Sequence, residues 1–236
     1  MTLEQAQRIA ALRSRYQVQF EMQMSAATSL NNYDYLDILD RGFDELGLAR
    51  PSPDVLCDVG CASFWYAATL AAFFRPRQLL GVDLEGHRLF RDGRTRIDYA
   101  AGYVARVPHA RFVVGDYRRH AEPADLITAW FPFLSAPALL AWRLPLSLLD
   151  PAGLFGRIRR NLTPGGLFVM VNHGPAEAAL AAEWCVAAGL ERAGTDRGAA
   201  REPLACGAPR PLPARLSCWR LATASRPDAA DIRINQ

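Results

Sequence analysis

The chain has 236 residues, half of them hydrophobic and 22% charged, with a formal net charge of +3 at pH 7. It contains arginine but no lysine. The lack of lysine excludes Schiff-base chemistry, which needs a lysine amine, and P-loop nucleotide binding, which needs a lysine on the phosphates. This length favours one folded domain.

The bulk properties also limit the partners. Basic residues are scattered apart from Arg118-Arg119 and Arg157–Arg160, so the sequence does not indicate a nucleic-acid partner. No apolar run approaches the roughly 18 residues that span a bilayer, and residues 1–11 lack the apolar centre of a signal peptide. Five cysteines without paired spacing favour a reducing compartment. We therefore expect a cytoplasmic protein with no membrane partner.

A metal site is not expected either. Cys57 and Cys61 are four residues apart, but neither a second pair nor a nearby histidine completes a tetrahedral ligand set.

The first 50 residues predict two helices. Apolar residues three or four apart predict one helix from Leu3 to about Met24 and another over 30–48. Asn31-Asn32 suit the start of the second helix, and Gly47 suits its end. We expect region 1–50 to be a helical extension that serves as a lid over a ligand, packs on the flank of the domain, or forms a homodimer contact.

After Pro51-Ser52-Pro53 the sequence alternates short apolar runs with helical stretches. We predict helices at 65–74, 92–105, 154–161 and 176–188, and strands at 55–59, 79–82, 111–114, 126–130, 167–171 and 215–224. This alternation predicts βαβ units and an α/β fold whose mostly parallel sheet has helices on both faces. Residues 198–213 indicate a long loop and 225–236 a loosely held tail, which leaves 51–224 as the main domain.

Glycines and acidic residues cluster where the predicted strands end. The first strand ends in Asp58-Val59-Gly60-Cys61-Ala62-Ser63-Phe64, and the second in Gly81-Val82-Asp83-Leu84-Glu85. The third ends in Val114-Gly115-Asp116-Tyr117, and the fourth in Trp130-Phe131-Pro132-Phe133. Each segment alone is more often a turn or a cap. Because ligands of open α/β sheets bind at the carboxyl ends of the strands, we expect the four segments to form one site.

This order of motifs resembles the class I S-adenosylmethionine-dependent methyltransferases over roughly residues 54–224. The resemblance implies a Rossmann-like, seven-stranded sheet, with S-adenosylmethionine as cofactor and S-adenosylhomocysteine as product. It implies that Asp83 accepts from the ribose hydroxyls and Asp116 from the adenine amino group, between apolar faces. The cofactor-binding residues that it implies are Asp58, Gly60, Cys61, Asp83, Leu84, Asp116, Tyr117 and Trp130.

The chain departs from the family pattern in the glycine-rich loop. The family usually has further glycines after the first, where this chain has Ala62 and Phe64. Phe64 either narrows the cofactor site or packs under the following helix. The alternative function is therefore a methyltransferase-like binding or scaffold protein with weak or no catalysis. A nicotinamide cofactor is disfavoured because Gly-x-Gly-x-x-Gly is missing.

The residues after the fourth and fifth strands bear on the acceptor. Base-methylating members of the family carry Asp/Asn-Pro-Pro-Tyr/Phe where this chain matches only at Pro132-Phe133, so we expect no nucleic-acid substrate. Trp130 and Phe133 are candidate walls of an apolar substrate pocket, or else core residues beneath the strand tips. Methylation of a protein or RNA has no basic face in its favour. We predict methyl transfer to a small, apolar or aromatic molecule.

His173 is the best-placed candidate for a general base. A capped turn or a solvent-facing histidine is the alternative. In-line methyl transfer needs mainly the alignment of the nucleophile, the methyl group and the leaving sulfur, so a general base is optional.

Overall fold

Seven strands form one sheet in the computed structural model, which describes residues 1–22, 24–196, 204 and 214–222. The order across the sheet is β3-β2-β1-β4-β5-β7-β6. The strands are β1 (Val55–Val59), β2 (Gln78–Asp83), β3 (Ala110–Val114), β4 (Ala124–Trp130), β5 (Leu162–His173), β6 (Leu190–Thr195) and β7 (Ala214–Leu221).

Helices lie before and between the strands. They are α1 (Leu3–Tyr16), α2 (Ala26–Leu46), α3 (Ala67–Phe74), α4 (Arg96–Val104), α5 (Ala136–Ala141), α6 (Pro151–Asn161) and α7 (Gly174–Ala187). Short 3-10 turns occur at Phe20–Met22, Tyr117–Arg119 and Leu146–Leu148.

The strand pairing creates a crevice at the carboxyl edge of the sheet. Strands β1 to β5 are parallel, whereas β7 runs antiparallel to both β5 and β6. The chain moves outward from β1 through β2 to β3, then returns to pair β4 on the other side of β1. Such a reversal is where open α/β sheets bind their ligands.

Alternate residues of the central strands enter two separate cores. Leu56 and Leu126 face one core, which includes residues of α1, α2 and α3, while Cys57 and Ile127 face another that includes residues of α6 and α7. This alternation follows from the two-residue period of a strand. Burial on both faces explains why the strands read as continuous apolar runs, and it confirms the predicted mixed, mostly parallel α/β architecture.

The N-terminal helices pack on the flank of the sheet. Helix α2 contacts α3 and β7, and its side chains share the first core with β1. The prediction that Asn31-Asn32 cap α2 was wrong, because Ser25 caps the helix and accepts from the Thr28 amide. Asn32 lies inside the helix instead. Its Nδ2 donates to the Trp65 carbonyl (3.1 Å), and its Oδ1 accepts from the Thr69 hydroxyl (2.8 Å).

The predicted elements match the structure best in the interior of the sheet. β1 agrees at both ends, and β2, β3 and β4 are one or two residues longer than predicted. α1 ends at Tyr16, well short of Met24. β5 starts at Leu162 rather than at 167, and its register against β4 shifts between Ala124 and Leu126. β6 and α5 were not predicted.

Parts of the predicted C-terminal loop and strand, and all of the tail at 225–236, lie outside the described residues. In the part of the chain that the structure describes, no helix is both long enough and apolar enough to cross a bilayer.

Gly81 allows the segment after β1 to pack directly on β2. A Cβ at this position would lie 2.6 Å from Cδ1 of Phe64 and 2.8 Å from Sγ of Cys61, and both side chains are fully buried. Phe64 therefore uses the space that a side chain on β2 would otherwise fill.

We predict that Gly81→Ala destabilises the protein by about 1–3 kcal/mol, the usual cost of overpacking a buried site. Gly102→Ala in α4 is the matched control, because a Cβ there has nothing within 4 Å and alanine favours a helix. Urea denaturation of both variants measures the difference. Equal free energies of unfolding for the two variants would show that Phe64 does not need this space.

Candidate functional site

A cavity of about 480 Å³ opens at the carboxyl edge of the sheet. Eight of the ten site residues predicted from the sequence line it, and they come from segments far apart in the chain. The eight are Gly60, Asp83, Leu84, Asp116, Tyr117, Trp130, Phe133 and His173. The other two, Asp58 and Cys61, are fully buried behind the wall.

The loop after β1 has a left-handed backbone without the expected glycines. Gly60, Ala62 and Phe64 have φ values of 69°, 51° and 55°. This conformation costs a residue with a Cβ roughly 1–2 kcal/mol. At Gly60 a Cβ would have nothing within 4 Å, so the backbone there faces open space. Phe64 packs under the loop against β2 rather than narrowing the cavity.

The Asp83 carboxylate at the end of β2 joins three segments. Its Oδ2 accepts from the Ala62 amide at 2.9 Å. Its Oδ1 accepts from the Glu85 amide at 2.9 Å and from Nη1 of Arg96, the first residue of α4, at 2.8 Å. One side chain therefore fixes three parts of the wall: the loop after β1, the end of β2 and the start of α4.

Arg96 lies almost completely buried between two carboxylates in the cavity wall. It is 5% exposed, and its Nη2 lies 3.2 Å from Oε2 of Glu85. A buried cation needs such pairing, since desolvation otherwise costs several kcal/mol. The other oxygen of Glu85, Oε1, accepts no hydrogen bond from a described residue, and Glu85 lines the cavity.

Asp116 is held by a forked arginine at the end of β3. Nε and Nη2 of Arg118 lie 3.0 and 2.6 Å from Asp116 Oδ2, and Nη1 lies 3.3 Å from Oδ2 of Asp150. The guanidinium holds the pKa of the Asp116 carboxyl below its usual range. Beside it, Tyr117 is buried and its hydroxyl accepts from Nδ2 of Asn161 at 3.3 Å.

Asp58 is the centre of a buried cluster beneath the cavity. The hydroxyls of Tyr66 and Thr128 each donate to one of its oxygens at 2.5 Å. Burial raises the pKa of Asp58 to about 7, although both hydrogen bonds lower it. Tyr66 lines the cavity, so its ring lies between Asp58 and the ligand space.

His173 lies at the end of β5, where it faces both the cavity and solvent. Its ring stacks on Phe131, with centroids 3.9 Å apart and planes 8° from parallel. Its side chain is exposed, and its backbone amide donates to Oε2 of Glu177 at 3.2 Å. The ring therefore contacts solvent while it borders the cavity.

Several cavity residues were missed by the sequence analysis. Arg96 reaches the site from α4, and Trp65 and Tyr66 follow the glycine-loop segment. Tyr35 reaches it from α2, in the N-terminal extension for which a lid over the ligand was one expectation. The run Phe64-Trp65-Tyr66 was the available signal, because three consecutive aromatic rings next to a predicted ligand loop are unusual for a solvated turn. Six more lining residues come from the segment that includes α5: Ala138, Leu139, Ala141, Trp142, Leu144 and Leu148.

We predict that the buried Asp58 makes the protein less stable as the pH rises from about 4 to about 7. The ordinary pKa of an aspartate is 3.8, whereas the pKa of Asp58 in the folded protein is about 7. Between these two pH values the unfolded chain therefore releases a proton that the folded chain keeps. Asp58→Asn should flatten this part of the stability curve, and Asp54→Asn, at an exposed carboxylate, should not. Urea denaturation from pH 4 to 8 measures the slopes, and a slope unchanged in Asp58→Asn would contradict the prediction.

Comparisons with known proteins were made for both sequence and structure. No family model matches the chain. A malonyl-acyl-carrier-protein O-methyltransferase from Methylovorus is 29% identical over 147 residues, which are 59% of this chain and 43% of that protein. The matched region is therefore less than half of the relative's length.

Two solved structures illustrate the similarity of the fold. The N-methyltransferase NodS from Bradyrhizobium japonicum, in complex with S-adenosylhomocysteine, has a TM-score of 0.54 at 14% identity, covering 92% of this chain and 99% of NodS. The 4+2 cyclase SpnF has a TM-score of 0.52 at 16% identity, covering 81% of this chain and 82% of SpnF. The strand order and these likenesses show that the chain has the fold of the class I S-adenosylmethionine-dependent methyltransferases, as its motifs predicted.

Proposed function

We propose that this protein transfers a methyl group from S-adenosylmethionine to a small, apolar or aromatic molecule. The observation that carries the proposal is the single cavity that brings together Gly60, Asp83, Asp116 and Trp130. These residues were predicted from four separate motifs. The similarity to an O-methyltransferase and to a structure bound to S-adenosylhomocysteine supports the same reaction class.

The residues present fit the cofactor at its nucleoside end. Gly60 and Gly115 line the cavity, and a Cβ at either would meet nothing within 4 Å, so the backbone is open to a ligand there. Asp83 already accepts three hydrogen bonds, which leaves about one of its four acceptor positions. We infer that Glu85, through its unused Oε1, shares the ribose hydroxyls with Asp83.

Asp116 and Tyr117 would hold the adenine. The ionised Asp116 accepts from three N–H groups of Arg118, namely the backbone amide, Nε and Nη2. About one of the four acceptor positions of a carboxylate is therefore left for an amino group. Tyr117 offers an apolar ring in the same wall.

The remainder of the cavity would hold the acceptor. Bound S-adenosylmethionine supplies an electrophilic methyl group on a sulfonium, which becomes the neutral sulfide when the acceptor's electron pair takes the methyl. Trp130 and Phe133 confine the acceptor by apolar contact, so that transfer relies on alignment. His173 is placed to take the proton that an oxygen or nitrogen acceptor releases, and to pass it to water.

A second candidate is a protein of this fold that binds ligands without methyl transfer. The specific observation in its favour is that Asp83 and Asp116 are both paired with arginines in the cavity wall. The similarity to SpnF, a cyclase, also shows that the fold is not limited to methyl transfer. Release of S-adenosylhomocysteine during incubation with a panel of small phenols and amines would decide against this candidate.

We predict that S-adenosylhomocysteine binds the wild-type protein and binds Asp83→Asn at least about tenfold more weakly. A hydrogen bond to a charged group contributes about 1.5–3 kcal/mol, which corresponds to this loss or more. Asp92→Asn is the matched control, because Asp92 lies in the exposed turn after β2 and pairs with Tyr99. Isothermal titration calorimetry measures all three proteins.

Asp83→Asn also removes the negative charge that pairs with the buried Arg96. Thermal unfolding of each variant therefore distinguishes weaker binding from loss of the fold. If the folded wild-type protein binds neither S-adenosylmethionine nor its product, the proposed function is wrong. Equal affinity in Asp83→Asn would show that Asp83 does not hold the ribose.

A further inference from the structure

Tyr35 of α2 stands among four other aromatic rings at the β4 side of the cavity. Its ring centroid lies 4.1 Å from that of Trp130, 4.7 Å from Trp65, 5.1 Å from Tyr66 and 6.3 Å from Phe131. The contact with Trp130 is edge-on. Packing on several sides restricts the Tyr35 side chain to one rotamer, so the position of its hydroxyl is fixed before any ligand binds.

The hydroxyl of Tyr35 differs from those of the other tyrosines in the cavity wall. Tyr66 donates to Asp58, and Tyr117 accepts from Asn161. The Tyr35 hydroxyl makes no hydrogen bond to any described residue, although the side chain lines the cavity. A phenol hydroxyl in an apolar wall normally has a partner, because leaving it unpaired costs roughly 1–3 kcal/mol.

The surroundings keep this hydroxyl protonated. Burial raises the pKa of Tyr35, and the nearby Asp58 and Asp34 carboxylates raise it further. The group is therefore a neutral phenol that can donate one hydrogen bond and accept others.

The position of Tyr35 separates it from the residues proposed to hold the ribose and the adenine. The acidic residues proposed for the ribose and adenine lie at the ends of β2 and β3, whereas the rings around Tyr35 follow β1 and β4. The strand order places β1 and β4 next to each other, away from β3.

We propose that Tyr35 is a substrate-contact residue whose hydroxyl binds a polar substituent on a flat, ring-shaped acceptor, so that the site selects ring compounds carrying a hydroxyl or amino group. This proposal rests on the proposed function for the identity of the second ligand. A ring without such a substituent would leave the fixed hydroxyl unpaired, and sites built in this way reject analogues that lack the polar group.

The test uses 2-naphthol and naphthalene as matched probes, because they differ by one hydroxyl. Equilibrium dialysis measures the binding of each probe to the full chain, with and without S-adenosylhomocysteine. We expect wild type to prefer 2-naphthol. Tyr35→Phe should bind 2-naphthol about tenfold more weakly, the upper range for one neutral hydrogen bond, and bind naphthalene as wild type does.

Tyr33→Phe is the matched control on the same helix. The Tyr33 hydroxyl donates to Glu21 at 2.7 Å, and Tyr33 packs on Phe20. Its loss should leave both probe affinities unchanged. Tyr35→Ala tests the ring itself and should weaken the binding of both probes.

An equal preference for 2-naphthol in wild type and Tyr35→Phe would overturn the proposal, and so would the absence of any preference in wild type. Calorimetry with S-adenosylhomocysteine on the same samples separates the two conclusions. If the wild-type protein does not bind S-adenosylhomocysteine, the proposed function is contradicted. If it does bind and Tyr35→Phe has no effect on the probes, only the role of Tyr35 is contradicted.

Discussion

The Asp83 carboxylate is the contact on which the end of the cavity between β1, β2 and α4 depends. It accepts from the backbone after β1, from its own turn and from Arg96 of α4. Each of these segments belongs to a different part of the chain, and each supplies part of the cavity wall. Arg96 is buried, and the Asp83 carboxylate is one of the two that pair with its charge. The same carboxylate therefore serves stability and the proposed ribose contact.

The segment after β1 shows how a strained backbone persists without glycine. Ala62 and Phe64 both adopt left-handed conformations, at a cost of roughly 1–2 kcal/mol each. Two compensations are visible. The Ala62 amide donates to Asp83, and Phe64 is fully buried against Gly81. A fully buried aromatic side chain contributes about 1.5–3 kcal/mol, which is of the same size as the strain. The loop therefore keeps its left-handed conformation although Ala62 and Phe64 stand where the family usually has glycines.

Local patterns predicted the central strands and most of the helices, because burial on both faces requires apolar runs. β6 was missed because Glu191, Arg192 and Gly194 interrupt its apolar pattern. An edge strand tolerates such residues, and β6 is an edge strand paired only with β7. The acidic residues at the strand ends were predicted from their order. The buried partner of Asp83 was not predicted, since Arg96 is 13 residues away and no spacing rule links the two. Tyr35 and Trp65 are likewise brought together only by the packing of α2 on the sheet.

The cavity is divided into an ionic half and an aromatic half, and this division orients any ligand that spans it. Asp83, Glu85 and Arg96 lie at the end where a ribose can replace water as a hydrogen-bonding partner. The other end presents rings and the Tyr35 hydroxyl, and a mostly apolar surface cannot satisfy the several polar groups of a ribose. A nucleoside bound the other way round would lose its hydrogen bonds at the rings and leave the carboxylates without a ligand. In the proposed reaction Trp130 would hold the acceptor at the boundary between the two ends. This division would help to align donor and acceptor, which is the main requirement of in-line transfer.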